Sequence, residues 1–178
     1  MPSISFLYFV VSSIIISGVF SGAALTAIDE KGRVAIAASL RNSIPGDPKS
    51  RQIYIATHPD SPCLVISGDD RLERIATEID QAEEVALRRN QPFNRAAERR
   101  RRYGAGETTS CDASGRFILP PMLFELGEFG DEPHLFLYGV GEFIEFWPLA
   151  RLLAQKGEEY ADAQRAARAA VRLAELRK

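Results

Sequence analysis

The sequence predicts an α+β protein assembled from two copies of one unit, and three observations lead there. Asp29-Glu30-Lys31-Gly32-Arg33-Val34-Ala35-Ile36 aligns with Asp112-Ala113-Ser114-Gly115-Arg116-Phe117-Ile118-Leu119, a shared Asp-x-x-Gly-Arg followed by an apolar-x-apolar stretch. Each copy is followed by a short helical segment and then by two apolar strand runs. A stretch of helical periodicity separates the copies, and an Ala/Arg/Glu-rich helix former closes the chain.

Composition bounds the function classes. The 178 residues carry 22 Lys+Arg against 24 Asp+Glu, a formal charge of −2, and 46% of them are hydrophobic. Such a chain fills a core, which excludes a wholly disordered, collagen-like or many-spanning membrane protein. Cys63 and Cys111 are too few for a disulfide scaffold. With net charge near zero there is no global basic field, so any nucleic-acid role rests on local patches. The charge is unevenly spread. Met1 to Ile28 holds no Lys, Arg, Asp or Glu, whereas Arg88, Arg89, Arg95 and Arg99 to Arg102 face a single acid, Glu98.

Taken in order, residues 4–20 read ISFLYFVVSSIIISGVF. This run fits a signal-peptide core with small residues Ser21 to Ala24 for cleavage, a single membrane anchor diluted by Ser, or residues preceding a true start at Val19. No Lys or Arg precedes it, and no basic cluster closely follows it. After the first motif, Ala38 to Ser43 reads as a short helix. Ile53 to Ala56 and Cys63 to Ile66 then read as strands with His58-Pro59-Asp60 in the turn. Leu72, Ile75, Ile79, Ala82 and Ala86 recur at helical steps, with Asp70 and Glu73 placed as a capping box and an end near Asn90-Gln91-Pro92. A second helix is expected over Phe93 to Tyr103, stopped by Gly104. In the second copy Pro121 to Leu126 repeats the short helix. Leu135 to Tyr138 and Phe143 to Trp147 repeat the strands, with Gly139 and Gly141 in the turn. From Glu158 to Lys178 the apolar stripe is thin, which fits a solvated helix, a fraying tail or an oligomer contact.

A lone Asp-x-x-Gly-Arg is read as a β-turn, in which Asp caps its own turn and Gly takes a positive φ. Two copies place two guanidinium groups at equivalent positions of a pseudo-symmetric body. Arg is permanently charged and its fork matches guanine O6/N7 or a phosphate, so the guanidinium groups of Arg33 and Arg116 suit either feature of DNA. Lys31 adds a phosphate-seeking charge, where the second copy has Ser114.

These residues resemble the MraZ family, two SpoVT/AbrB-type DNA-binding repeats in one chain. The likeness runs from about Phe20 to Leu153, opening on Phe20-Ser21-Gly22-Ala23-Ala24-Leu25-Thr26-Ala27-Ile28 before the first motif. Ala37 stands where the family often has Pro, and Pro120 keeps it. The resemblance puts Val19 at the family's first Met, favouring the start-site reading of residues 1–19, and the apolar leader departs from the family.

The resemblance also implies a fold, a division of the chain and a function. The fold is an α+β pseudo-dimer of two tandem interlocked β-α-β repeats of the AbrB swapped-hairpin type, with inter-repeat helices and a C-terminal helix. Repeat 1 spans 23–70, the helical linker 71–105, repeat 2 106–151 and the tail 152–178. It implies a cytoplasmic, nucleoid-associated regulator that binds tandem short G-rich repeats upstream of the division and cell-wall genes as a ring-shaped homo-oligomer. Arg33 and Arg116 contact DNA, Lys31 supports them, and Asp29, Gly32, Asp112 and Gly115 shape the loops.

Arg99, Arg100, Arg101 and Arg102 are open to three readings: a DNA-backbone patch, a solvated helix face paired with acids, or a subunit contact. His58, Cys63, Cys111 and His134 lack zinc-site spacing, so no metal is expected. Neither a nucleophile elbow nor a phosphate or dinucleotide loop appears, so no cofactor, small-molecule substrate or enzymatic activity is expected. Glu142 and Glu145 read as an outward strand face, and Phe143, Phe146 and Trp147 as core or subunit contact. The competing readings are an AbrB-like antitoxin or scaffold acting through a protein partner, and an exported or membrane-anchored protein if residues 4–20 are a working signal.

Overall fold

The computed structural model describes residues 18–176, so the signal, anchor and start readings of the apolar leader fall almost wholly outside the described residues. The chain is α+β. A first strand, β1 (Phe20–Thr26), leads into the short β2 (Arg33–Ala35) and the one-turn helix α1 (Ala38–Arg41). β3 (Ser50–Thr57) and β4 (Leu64–Gly68) form a hairpin, followed by helices α2 (Arg71–Arg88) and α3 (Arg95–Tyr103). The second copy supplies β5 (Glu107–Asp112), β6 (Arg116–Ile118), α4 (Pro121–Leu126), β7 (Leu135–Gly141) and β8 (Ile144–Pro148), and α5 (Leu149–Ala154) and α6 (Ala161–Glu175) follow.

Six strands form one antiparallel sheet in the order β1-β7-β8-β4-β3-β5, and β2 pairs with β6 in a separate ribbon. Both edge pairings join the two copies: β1 lies on β7, with Phe20 opposite Gly141, and β5 lies on β3, with Ser50 opposite Asp112.

Strand alternation builds a core on each face of this sheet. Ile53, Ile55, Leu64, Ile66, Leu135, Leu137, Ile144 and Phe146 enter one face, where Val34 and Phe117 of the ribbon, Leu40 of α1 and Leu123 of α4 cover them. Tyr54, Ala56 and Val65 point the other way, against Ile75 and Ile79 of α2, with Phe93 and Tyr103 at the margin. Further along that second face, Phe136 and Trp147 meet Leu152 of α5 and Ala163 and Ala167 of α6. Phe20, Phe136 and Phe146 are fully buried, and burying a side chain of that size stabilises by about 1.5–3 kcal/mol.

Several details differ from the sequence reading. Asp70 stands at the N-cap of α2 but makes no capping hydrogen bond. Its carboxylate takes Arg74 instead, at 3.0 Å, so the expected capping box does not form. Leu72, expected in the stripe, is 37% exposed, while Ile75, Ile79 and Ala86 are buried. Gly139 lies inside β7 opposite Gly22 rather than in the turn, because a Cβ there would stand 2.7 Å from the backbone of Phe20 and Ser21. The turn falls at Val140 to Phe143, with Gly141 at φ +91°. Ala37 takes φ −58° and ψ 148°, close to Pro120 at −58° and 137°, so the missing proline leaves the backbone path unchanged. The tail is packed along its first turns, where small Ala side chains at 163 and 167 let α6 approach Trp147 closely, and exposed over residues 172–176. Glu145 is drawn inward, accepting the Trp147 Nε1–H at 2.9 Å.

Candidate nucleic-acid interface

The two motifs fold into the same loop. In the first, Asp29 Oδ1 accepts the backbone N–H groups of Lys31 at 2.9 Å and Arg33 at 3.0 Å, and the Gly32 N–H returns to the Asp29 carbonyl at 2.9 Å. In the second, Asp112 Oδ1 accepts from Ser114 at 2.8 Å and Arg116 at 2.9 Å, and Gly115 N–H returns to the Asp112 carbonyl at 2.9 Å. Gly32 sits at φ +73° and Gly115 at φ +81°, which explains glycine at the fourth motif position. A side chain that bonds its own turn is the ordinary role of Asp.

The other Asp oxygen orients the arginine. Asp29 Oδ2 accepts Arg33 Nε at 2.7 Å, and Asp112 Oδ2 accepts Arg116 Nε at 3.1 Å. With Nε held, neither Arg33 nor Arg116 has a hydrogen-bond partner at Nη among the described residues, which leaves the end of each fork available for a bidentate acceptor. The Arg33 backbone N–H, then its guanidinium, keep the Asp29 carboxyl below the ordinary carboxylate range; Arg116 does the same for Asp112. Both carboxylates therefore remain charged at neutral pH, and the pairs are exposed, so they position the arginines more than they stabilise the fold.

The ribbon brings the two loops together. Arg33 pairs with Ile118, Val34 with Phe117 and Ala35 with Arg116. Val34 and Phe117 point into the core, so Arg33, Ala35, Arg116 and Ile118 share the outer face, where Ile118 is 59% exposed. Arg33 and Arg116 are diagonal neighbours, a relation that spaces Cα atoms by about 7–8 Å. Each loop is also tied to the other copy: Ile36 N–H donates to the Gly115 carbonyl at 2.8 Å, and Leu119 N–H to the Gly32 carbonyl at 2.9 Å.

Two residues of this surface carried no signal in the sequence. Arg41 of α1 donates from Nη1 to the Ser114 carbonyl at 2.6 Å, bracing the second loop. Lys49, on the link between α1 and β3, lines a cleft of about 460 Å³ together with both Arg33 and Arg116. Lys31 lines a different cleft, of about 660 Å³, on the other side of the ribbon.

The arginine run is not brought to this surface. The ribbon covers one face of the sheet, and α3 packs with α2 over the other. Arg101 bonds Asp60 at 2.7 Å and Glu98 at 3.0 Å, and Arg102 bonds Glu78 at 2.8 Å and Glu98 at 3.1 Å. Arg99 lies over the Tyr103 ring, 5.9 Å from its centroid, and Arg100 is exposed. Two of the four arginines are thus committed to acids of α2, α3 and the β3–β4 turn.

The remaining polar groups fit structural roles. Cys63 and Cys111 are buried, and burial pushes both thiols up, away from the reactive thiolate. Among the described residues no group of three or more His, Cys, Asp or Glu is placed to hold a metal, and no helix is long and apolar enough to cross a membrane.

No protein-family model matches the sequence. The chain is similar to the transcriptional regulator MraZ of Saccharophagus degradans, 30% identical over 130 residues covering 72% of this chain and 81% of that protein. MraZ proteins of Burkholderia vietnamiensis and Dechloromonas aromatica are each 29% identical, covering 77% and 72% of this chain and 87% and 80% of theirs. By this similarity, and with the repeated motif and its paired loops, the chain belongs to the MraZ family of transcriptional regulators.

Proposed function

We propose that this protein is a sequence-specific regulator that binds double-stranded DNA through its two Asp-x-x-Gly-Arg loops. The observation that carries the reading is the ribbon, which sets Arg33 and Arg116 side by side with Nε held by Asp29 and Asp112. A two-stranded antiparallel ribbon fits a B-DNA major groove, and an Arg fork with free Nη groups matches guanine O6/N7. Lys31 serves a phosphate, and Asp29, Gly32, Asp112 and Gly115 shape the loops. The family name, transcriptional regulator, points the same way and away from an enzyme.

The same reading makes the two copies one interlocked pseudo-dimer of the swapped-hairpin kind, supported by the exchange of β1 onto β7 and β5 onto β3. A ring of such subunits on tandem G-rich repeats upstream of the division and cell-wall genes, in the cytoplasm and on the nucleoid, completes it. One subunit offers few contacts, and tethered copies raise effective concentration.

The test is titration of the protein against a duplex from its own gene's upstream region, at two salt concentrations, with a shuffled duplex as control. Tighter binding to the native duplex supports the reading. Equal, weak and salt-sensitive binding to both refutes it and moves a protein-partner role to the front.

A further inference from the structure

We infer that Lys49 is a third cation of the DNA surface and that the interface has a built-in direction: phosphates run over the Lys49 cleft and are turned away from its pseudo-symmetric counterpart. The inference rests on the DNA-binding reading above and adds to it a contact residue and a polarity.

The two Asp-x-x-Gly-Arg motifs are offset by 83 positions, and the matching turns before β3 and β7 by 82, since the Ser50 N–H donates to the Asp47 carbonyl as the Glu132 N–H donates to that of Phe129. Asp29 therefore corresponds to Asp112, Asp131 to Lys49 and Glu132 to Ser50, and each member of these pairs lines its own cleft. The backbones correspond at these positions, but the charges do not. Besides Asp29, the larger cleft is lined by Glu30, Glu125, Asp131 and Glu132, against one cation, Lys31. The counterparts of those four are Ala113, Asn42, Lys49 and Ser50, none of them acidic. The smaller cleft instead gathers Arg33, Lys49 and Arg116 against Asp112.

Geometry sharpens the contrast. Both motif arginines line the Lys49 cleft, and neither lines the acidic one. Lys49 is exposed, and its backbone N–H is fixed by Asp47 Oδ1 at 2.9 Å, so the stem of the side chain starts from an ordered turn. Asp131 stands at the equivalent place, and Glu132 beside it is turned inward: its two oxygens accept the N–H groups of His134 at 3.1 Å and Ala150 at 3.3 Å, holding the start of α5. Glu30, Glu125 and Asp131 are exposed. DNA presents a line of negative charge, so a duplex centred on the ribbon gains on the Lys49 side and meets like charge on the other. A pseudo-twofold body thereby binds as an asymmetric one.

The test uses the full chain and the native-upstream and shuffled duplexes. Lys49→Ala is expected to weaken binding to both duplexes by a similar factor of about 3–10 and to make the slope of log K against log salt shallower by about 0.9, with Lys49→Arg restoring both. An unchanged slope in Lys49→Ala overturns the contact. Direction is read separately, by tethering an iron–EDTA cleavage reagent to Ser50→Cys or Pro133→Cys, the two native thiols being buried. Strand cutting from position 50 that exceeds cutting from position 133 at least fivefold supports the polarity, and equal cutting from both overturns it. Failure of the DNA-binding reading looks different: the unsubstituted protein then shows no preference for the native duplex.

Discussion

The Arg41 guanidinium and the Ser114 carbonyl oxygen meet at 2.6 Å across 73 residues of sequence, so a helix of the first copy braces the Asp-x-x-Gly-Arg loop of the second. The 83-residue offset places Phe124 at the position equivalent to Arg41, and an apolar ring cannot donate such a bond. The second loop is therefore held by a contact that the first lacks. Replacing Arg41 by Ala is expected to lower DNA affinity about 3- to 10-fold through Arg116. In an Arg116→Ala background the same change is expected to do little. A double-mutant cycle on DNA affinity measures this, and additive losses would sever the link between brace and arginine.

Arg33→Ala and Arg116→Ala are each expected to weaken binding to the native duplex by about 1–3 kcal/mol, the usual worth of a bidentate base contact. Neither side chain is buried, so thermal melting should stay within about 2 °C of the parent. Unaltered affinity in both variants would remove the loops from the interface.

The two loop glycines should differ. An alanine at 115 would set its Cβ 2.4 Å from the Ile36 carbonyl oxygen, whereas at 32 the nearest approach is 4.0 Å, to the Leu119 carbonyl. Both pay for a positive φ, on the order of 1–3 kcal/mol. Gly115→Ala must also displace a backbone that Ile36 N–H ties to it. Denaturant unfolding should show Gly115→Ala as the more destabilised variant, and equal losses would mean that the ribbon yields freely there.

Arg102→Ala is expected to cost about 1 kcal/mol of stability, since its partners Glu78 and Glu98 sit on α2 and α3, and to leave DNA affinity unchanged. Unfolding and titration of the one variant check both halves. A loss of DNA affinity without a loss of stability would restore the arginine run to the interface.

Burial depresses the His58 pKa below its ordinary value, and the ring is neutral with Nδ1 accepting the Asp60 N–H at 2.9 Å. As pH falls through about 6.5 the unfolded chain takes up a proton that the folded ring resists, so this group's contribution to stability declines on acidification. Glu145, whose carboxyl burial raises, acts in the opposite sense at lower pH, because the folded state binds its proton first. His58→Asn keeps an acceptor for Asp60 and removes the titration. Melting temperature followed from pH 7.5 to 5.5 should fall less steeply in the variant. A steeper fall would contradict the assignment.

Much was legible in the residues themselves. The repeated Asp-x-x-Gly-Arg marked both loops, because a turn capped by Asp with a positive-φ glycine is a local structure that neighbouring atoms determine. The strand runs at Ile53 and Leu135 and the helix carrying Ile75 and Ile79 were equally plain, since period-2 and period-3.6 apolar spacing reports which side of an element is buried. Other features depended on partners far along the chain. Gly139 read as a turn residue, yet the close backbone of β1 is what requires a glycine there. The arginine run read as ambiguous because charge pattern is silent about where acids stand; only the packing of α3 on α2 and the β3–β4 turn consumed Arg101 and Arg102. By itself the sequence determined two like loops, their arginines and the faces of the main elements, all set by interactions within a few residues. The tertiary structure alone decided that both arginines share one face of the ribbon and that Lys49 joins them there. Those placements arise from strand pairing between the copies, a contact between residues more than 60 positions apart that leaves no local trace.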